Sequence, residues 1–338
     1  MLGGVRSARL PEVPVTAPVP PARHRLLALP GGRVHVVEQG EGPLVLLLHG
    51  FPESWHAWRH QLPVLAAAGY RAVAVDARGY GRSSRPGDTE AYRAVALVGE
   101  LVALVRALGE ERAVLAGHDW GATLAGQAGL LRPEVFSAIA LLGVPYTPPG
   151  GPRPSEVFAA MGGEEEFYVP FLQRPGVAEA EMEQDVRGWL AGFYTTLSGR
   201  SGVVPPGPFF VPRGHAMRER FVDGPLPSWL SEEELDVYAG EFKRTGFGGA
   251  LARYRVMDRD WEDLAAWEGE PLRQPSLFLA GREDASLAWL SEAVDAFPGT
   301  LPGLRGTHLL DDCGHWVQQE RPDEVGALLV EWLAGLDR

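Results

Sequence analysis

The stretch with the most chemical content is Gly117-His118-Asp119-Trp120-Gly121, which follows the apolar run Val114-Leu115-Ala116 and precedes a helical pattern from Ala122. Glycines two residues either side of a central side chain suit a sharp strand-to-helix turn that holds that side chain up, strained and exposed. Serine is the common occupant, but here it is Asp119. A carboxylate needs no base to be nucleophilic at neutral pH, and its attack on saturated carbon gives an ester. That ester must be cleared. The chain should therefore also supply a His, an orienting acid, and groups that stabilise a leaving oxygen or halide.

The elements that would position such groups read as alternating strands and helices. Leu26 to Leu29 and Val34 to Val37 flank Pro30-Gly31-Gly32 as a hairpin. Leu44 to Leu48, Arg71 to Val75, Arg112 to Ala116 and Phe136 to Val144 are apolar strand runs, with helical patterns at Trp55 to Ala68 and Val95 to Leu108. This alternation implies a mostly parallel, doubly wound α/β sheet. From 148 to 255 Pro and Gly become dense and no buried strand is evident. Helical spacing of Ala178, Met182, Val186, Leu190 and Phe193, and an N-cap at Ser231, mark an inserted helical cap. Strands at Pro275 to Ala280 and Thr307 to Leu310, and helices at Leu287 to Phe297 and Pro322 to Leu336, then complete the core. The expected organisation is a Pro-rich arm over 1–24, core over 25–147, cap over 148–255, and core again over 256–338.

An open parallel sheet places its ligand at the carboxyl ends of its strands, and the candidates stand there. Beyond the Leu277 to Ala280 run come Glu283 and Asp284, two adjacent and chemically equivalent acids. His315 follows the last strand in Asp312-Cys313-Gly314-His315. The order nucleophile, acid, His is the one associated with such an elbow. After Leu48, in His49-Gly50-Phe51-Pro52, the N–H of Phe51 could pair with that of Trp120 as an oxyanion hole, with Pro52 in a cis turn.

Together these residues resemble the soluble-type epoxide hydrolases of the α/β-hydrolase fold, from about residue 25 to the C-terminus. The resemblance is carried by HGFPESWHAWRHQ, DARGYGRSSRP, GHDWGA, YVPFLQRPGVAEAEMEQ, PLPSWLSEEELDVY, YRVMDRDW and DDCGHWVQ. It implies Asp119 as nucleophile, His315 as general base and Asp284, rather than Glu283, as orienting acid. It implies an α/β-hydrolase core with an inserted cap, no cofactor and no metal, and a pocket including His49, Pro52, Trp120, Phe171 and Trp316. Haloalkane dehalogenases share the GHDWG turn, so a haloalkane or haloacid dehalogenase is the alternative. A ligand-binding protein that has lost turnover is a third.

The leaving group separates the first two. Opening an epoxide leaves an alkoxide that needs protonation, and phenols with pKa about 10 are donors at neutral pH; a halide needs none. Tyr146, Tyr168, Tyr194, Tyr238 and Tyr254 fall in or beside the insertion, and composition does not choose among them. The resemblance selects Tyr168 and Tyr254. It departs before the second, where Asn-Trp is common and this chain has Ala252-Arg253.

The formal charge of -13 argues against a general nucleic-acid or anionic-membrane partner, and the single Cys313 excludes a disulfide framework or thiolate zinc site. No run reaches a membrane span, and the prolines before residue 22 interrupt any signal-peptide core. The expectation is a cytoplasmic monomer or homodimer acting on a small epoxide. His56 and His60 have metal-ligand spacing but no third ligand, so they read as a surface helix. Gly79 to Ser84 reads as a turn, His118 and Cys313 as structural, and Glu164-Glu165-Glu166 as a solvated loop.

Overall fold

The computed structural model describes residues 20–202 and 209–336. The expected arm to residue 19 and part of the Pro-rich stretch after 202 lie outside the described residues. Strands β1 (Arg23–Leu29) and β2 (Gly32–Gln39) form the expected hairpin, so β1 takes in the last residues assigned to the arm. The first half of the core continues through β3 (Leu44–Leu48), α1 (Gln61–Ala67), β4 (Arg71–Val75), α2 (Ala94–Ala107), β5 (Ala113–His118), α3 (Trp120–Leu131) and β6 (Phe136–Leu142). After the insertion come β9 (Ser276–Gly281), α11 (Leu287–Asp295), α12 (Phe297–Thr300), β10 (Leu304–Leu310), α13 (Val317–Glu320) and α14 (Pro322–Ala334).

The eight core strands lie in the order β1-β2-β4-β3-β5-β6-β9-β10, antiparallel where β1 meets β2 and β2 meets β4 and parallel elsewhere. Both faces are covered, which is why the central strands are continuously apolar. Leu46 and Leu48 pack with Val98 and Leu101 of α2, while Val45 and Leu47 pack with Leu62 of α1 and Leu329 of α14. The neighbours β4 and β5 lie on either side of β3, so the chain reverses direction across the sheet there, and the crevice opens at the carboxyl ends of β3 and β5.

Between β6 and β9 lie α4 (Pro154–Met161), β7 (Glu165–Phe167), α5 (Tyr168–Gln173), α6 (Val177–Gln184), α7 (Val186–Leu197), β8 (Phe210–Pro212), α8 (Glu232–Thr245), α9 (Gly248–Arg255) and α10 (Met257–Asp263). The helical spacing from Ala178 to Phe193 is divided at Asp185, whose side chain accepts from Gly188 N and starts α7. Ser231 caps α8 as expected, with Glu234 returning a hydrogen bond to the Ser231 N–H. Two expectations are corrected. The insertion does contain strands, β7 paired antiparallel with β8, each too short to show a period in sequence. Glu165 and Glu166 belong to β7 rather than to a solvated loop, because that pairing turns Glu166 inward to a two-pronged contact with Arg174.

Candidate active site

Asp119 sits between β5 and α3 with φ 52° and ψ -120°, a backbone conformation costly for a non-glycine residue. The two flanking glycines make the turn possible. A Cβ on Gly117 would run into the carbonyl of Gly121, and a Cβ on Gly121 into the carbonyl of Leu48. The strain is held by Asp119 N donating to Leu142 O and by Ala122 N and Thr123 N donating to Asp119 O.

The carboxylate is held at both oxygens. Oδ1 accepts from the Phe51 N–H at 2.8 Å, and Oδ2 lies 3.7 Å from His315 Nε2. The other ring nitrogen, Nδ1, is 2.9 Å from Asp284 Oδ2, and Asp284 Oδ1 accepts from Ser286 N at 2.9 Å. Of the two competing acids, Asp284 is 3 % exposed and faces His315, whereas Glu283 is exposed and accepts from Arg200 N. The Phe51-Pro52 peptide bond is cis. The Trp120 N–H opens α3, where no preceding turn supplies it with a helical acceptor. An ester formed through Oδ2 would thus keep Oδ1 as its carbonyl oxygen, already against the Phe51 donor.

Burial opposes charge on all three groups, and their mutual arrangement overrides it. For Asp119, burial raises the pKa, but the charges of His315 and His118 and the Phe51 N–H outweigh it and hold the group below the usual carboxylate value. Asp284 is lowered likewise, its burial outweighed by His315 and the Ser286 N–H. For His315, burial favours the neutral ring, yet Asp284 and Asp119 raise its pKa well above the ordinary value. Esterification would remove one of those two negative charges, lowering the pKa of His315 at the step where a base is needed.

Beneath the elbow, His118 points away from the pocket, as expected of a structural residue. Its Nδ1 lies 2.8 Å from Glu53 Oε2 and its Nε2 2.8 Å from the carbonyl oxygen of His315. Glu53, which carried no signal beyond standing after Pro52, is fully enclosed. It accepts from Gly50 N, Gln318 Nε2 and Gln319 Nε2. Burial opposes its charge, but His118 foremost, with the Gly50 N–H and His49, outweighs it and holds the carboxyl below its usual value. This network ties the loop after β3 to the segment carrying His315.

Across from Asp119, the cap contributes Tyr168 at the start of α5 and Tyr254 near the end of α9, their ring centres 6.3 Å apart. Both line a cavity of about 230 Å³ that also contains Asp119 and His315. Burial raises both phenol pKa values above 10.0, and for each the charge of Asp119 adds to the effect. Turnover should therefore show no alkaline loss from phenol ionisation up to that value. A pH profile of kcat/KM that falls on a limb below it would contradict the assignment of these phenols as donors.

The expected pocket is only partly realised. Trp120 lines the cavity, but His49, Pro52, Phe171 and Trp316 do not. His49 is locked between loops, its Nδ1 2.8 Å from Gly50 O and its Nε2 accepting from Ala77 N. The Pro52 carbonyl accepts from the Tyr194 hydroxyl. Phe171 is packed into the cap core, and Trp316 donates its indole N–H to Tyr194 O while its ring backs His315. The wall is instead built by Phe158, Phe167, Phe209, Trp289, Leu290 and Met257, among others. These come from distant segments and carry no common motif.

Cys313 is buried, and burial raises its thiol pKa further from reactivity. The folded protein should resist alkylation by iodoacetamide at mildly alkaline pH and be labelled once unfolded. Prompt labelling of the folded protein would contradict this placement. The single surface helix expected to carry His56 and His60 is corrected: His56 lies in the short turn Trp55–Trp58 with both ring nitrogens buried, and His60 is the residue before α1. Among the described residues no group of three or more His, Cys, Asp or Glu could hold a metal ion. No helix among the described residues is long and apolar enough to cross a membrane.

A profile of the alpha/beta hydrolase fold matches residues 43–174. Epoxide hydrolase B of Mycobacterium tuberculosis is 40 % identical over 351 residues, covering 93 % of this chain and 98 % of that protein. Epoxide hydrolase A of the same organism is 43 % identical over 326 residues, with the same coverage. Among solved structures, an epoxide hydrolase from an endophytic Streptomyces superposes with TM-score 0.92 at 61 % identity, covering 94 % of this chain and 96 % of that one. With near-full-length relatives at this identity and an Asp elbow facing a tyrosine pair, the chain belongs to the epoxide hydrolases of the α/β-hydrolase fold.

Proposed function

We propose that this epoxide hydrolase converts its substrate to a vicinal diol in two steps through an ester on Asp119. The observation that supports this most is the facing of Asp119 and two phenols, one buried and one half-buried, across one cavity. Tyr168 and Tyr254 hold the epoxide oxygen while Asp119 Oδ2 attacks a ring carbon. The carbon–oxygen bond of the ring breaks and the alkoxide takes a proton from one phenol. His315, oriented by Asp284, then removes a proton from water as it adds to the ester carbonyl. The oxyanion on Oδ1 is met by the N–H groups of Phe51 and Trp120. Collapse expels the diol, whose departing oxygen takes the second proton of the added water as Asp119 returns to carboxylate, and the proton held by His315 passes back to the phenolate.

The cap of this reading spans 148–255, and the enzyme works as a cytoplasmic monomer or homodimer on a small epoxide. The net charge of -13 supports a freely soluble protein, and the single buried thiol suits a reducing compartment. The test is to incubate the purified protein with terminal, aromatic and internal epoxides and, separately, with haloalkanes. Diol formation without halide release is expected. Halide release without diol formation would replace this reading with a dehalogenase.

A further inference from the structure

The residue before the second tyrosine is where this chain departs from its resemblance, and its surroundings are unusual for a buried cation. Arg253 is 6 % exposed, on α9. Its guanidinium carbon stands 4.7 Å from the centre of the Trp120 ring. One terminal nitrogen is ion-paired with Asp260 of α10, and the other donates to Gln127 Oε1 of α3 at 3.0 Å. Asp260 is itself fixed, its Oδ1 accepting from Ala94 N at the start of α2. The guanidinium fork is thus spent on two partners from two helices, which leaves its flat face to the indole. The Tyr254 ring stands edge-on to the same indole, with centres 5.0 Å apart.

Trp120 borders two spaces. One is the catalytic cavity; the other is a second cavity of about 240 Å³, lined also by Gln127, Pro149, Arg253 and Trp261. Trp120, Thr123, Val144 and Met257 line both. Of these, the indole is the broad, flat side chain that can close an opening. A desolvated cation over an aromatic face is attracted to it strongly, so a fixed guanidinium fixes the ring.

We propose that Arg253 is a positioning residue that latches Trp120 as the wall between these cavities, and so sets how long a substrate the site accepts on that side. The inference rests on the epoxide-hydrolase reading of the site. With the latch removed, the indole turns, the two cavities join, and long alkyl chains gain room that short ones do not use.

The test compares kcat/KM for straight-chain terminal epoxyalkanes from butane to dodecane in the wild type, Arg253→Met, Arg253→Lys and Trp120→Leu, with thermal melts of each. In Arg253→Met the ratio of long-chain to short-chain kcat/KM should rise about tenfold, carried by a lower KM for the long substrates. Arg253→Lys, which keeps a cation for the indole face, should return the ratio to within about twofold of wild type. Trp120→Leu should raise the ratio at least as much as Arg253→Met. If Arg253→Met fails to fold, Arg253→Gln carries the same expectation, since it retains hydrogen-bond donors but no cation. A uniform loss of kcat across the series with an unchanged ratio would show a merely structural arginine and overturn the proposal. So would a ratio that rises in Trp120→Leu alone. A folded wild type that opens none of the series would instead remove the epoxide reading, and this inference with it.

Discussion

His315→Gln consumes one equivalent of epoxide and stops, and its intact mass rises by the mass of the substrate. Ring opening asks nothing of the imidazole as a base. Asp119 still presents Oδ2 to the cavity with Oδ1 on the Phe51 N–H, and the phenols across from it are untouched. Ester hydrolysis loses its base, a loss of about 10²- to 10⁴-fold, so the intermediate accumulates. A side effect is expected on the first step. Burial pushes the Asp119 pKa up, and His315 is the foremost of the groups that pull it down. The acid limb of the burst should therefore move to higher pH in the variant, and trapping should be cleanest at mildly alkaline pH. Continued multiple turnover with no added mass would contradict the role of His315.

Tyr168→Phe combined with Tyr254→Phe abolishes ring opening while the protein stays folded. The substitutions remove two hydroxyls and keep the rings, so the contacts among Phe51, Trp120 and the two tyrosines survive. What is lost is the stabilisation and protonation of the alkoxide. Each single variant should fall by about 10- to 10²-fold, because the remaining phenol still donates, and the double variant by about 10⁴-fold or more. Placed in a His315→Gln background, the double substitution should leave the protein mass unchanged after exposure to epoxide. A double variant that still forms the ester at the wild-type rate would remove the tyrosines from the chemistry.

Much of this was readable in the sequence, and for identifiable reasons. Strands buried on both faces leave long apolar runs, and the elbow leaves two glycines at a spacing enforced by close backbone contacts at Gly117 and Gly121. Asp119, His315 and the pair Glu283-Asp284 all follow strands of one mostly parallel sheet, so order and placement at strand ends bring them together in sequence, while only the resemblance prefers Asp284 over Glu283. The tyrosines were different, since spacing gave no reason to prefer Tyr168 and Tyr254 over Tyr194 or Tyr238. In the structure, the Tyr194 hydroxyl is spent on Pro52 O and the Tyr238 hydroxyl on Gln319.

The pocket wall was the least legible part. His49, Pro52 and Trp316 are neighbours in sequence of the proposed site residues, but the His49 ring and the Trp316 indole N–H are tied to backbone groups and the Pro52 carbonyl to the Tyr194 hydroxyl. Phe209 and Trp289, eighty positions apart, meet edge-on with ring centres 4.6 Å apart in the wall, a contact that no local pattern encodes. Glu53 carries no signal in sequence because a buried carboxylate is recognised by its partners, which here include Gln318 and Gln319 from the far end of the chain.

The central claim is that the oxygen added to substrate comes from Asp119 and only afterwards from water. A single turnover in water labelled with oxygen-18, with enzyme in excess over a terminal epoxide, tests it directly. The diol should emerge unlabelled while the peptide containing Asp119 gains the label, because the ester is hydrolysed at its carbonyl carbon. Label in the diol of that first turnover, with none in the Asp119 peptide, would mean that water attacks the epoxide itself and would contradict the covalent mechanism.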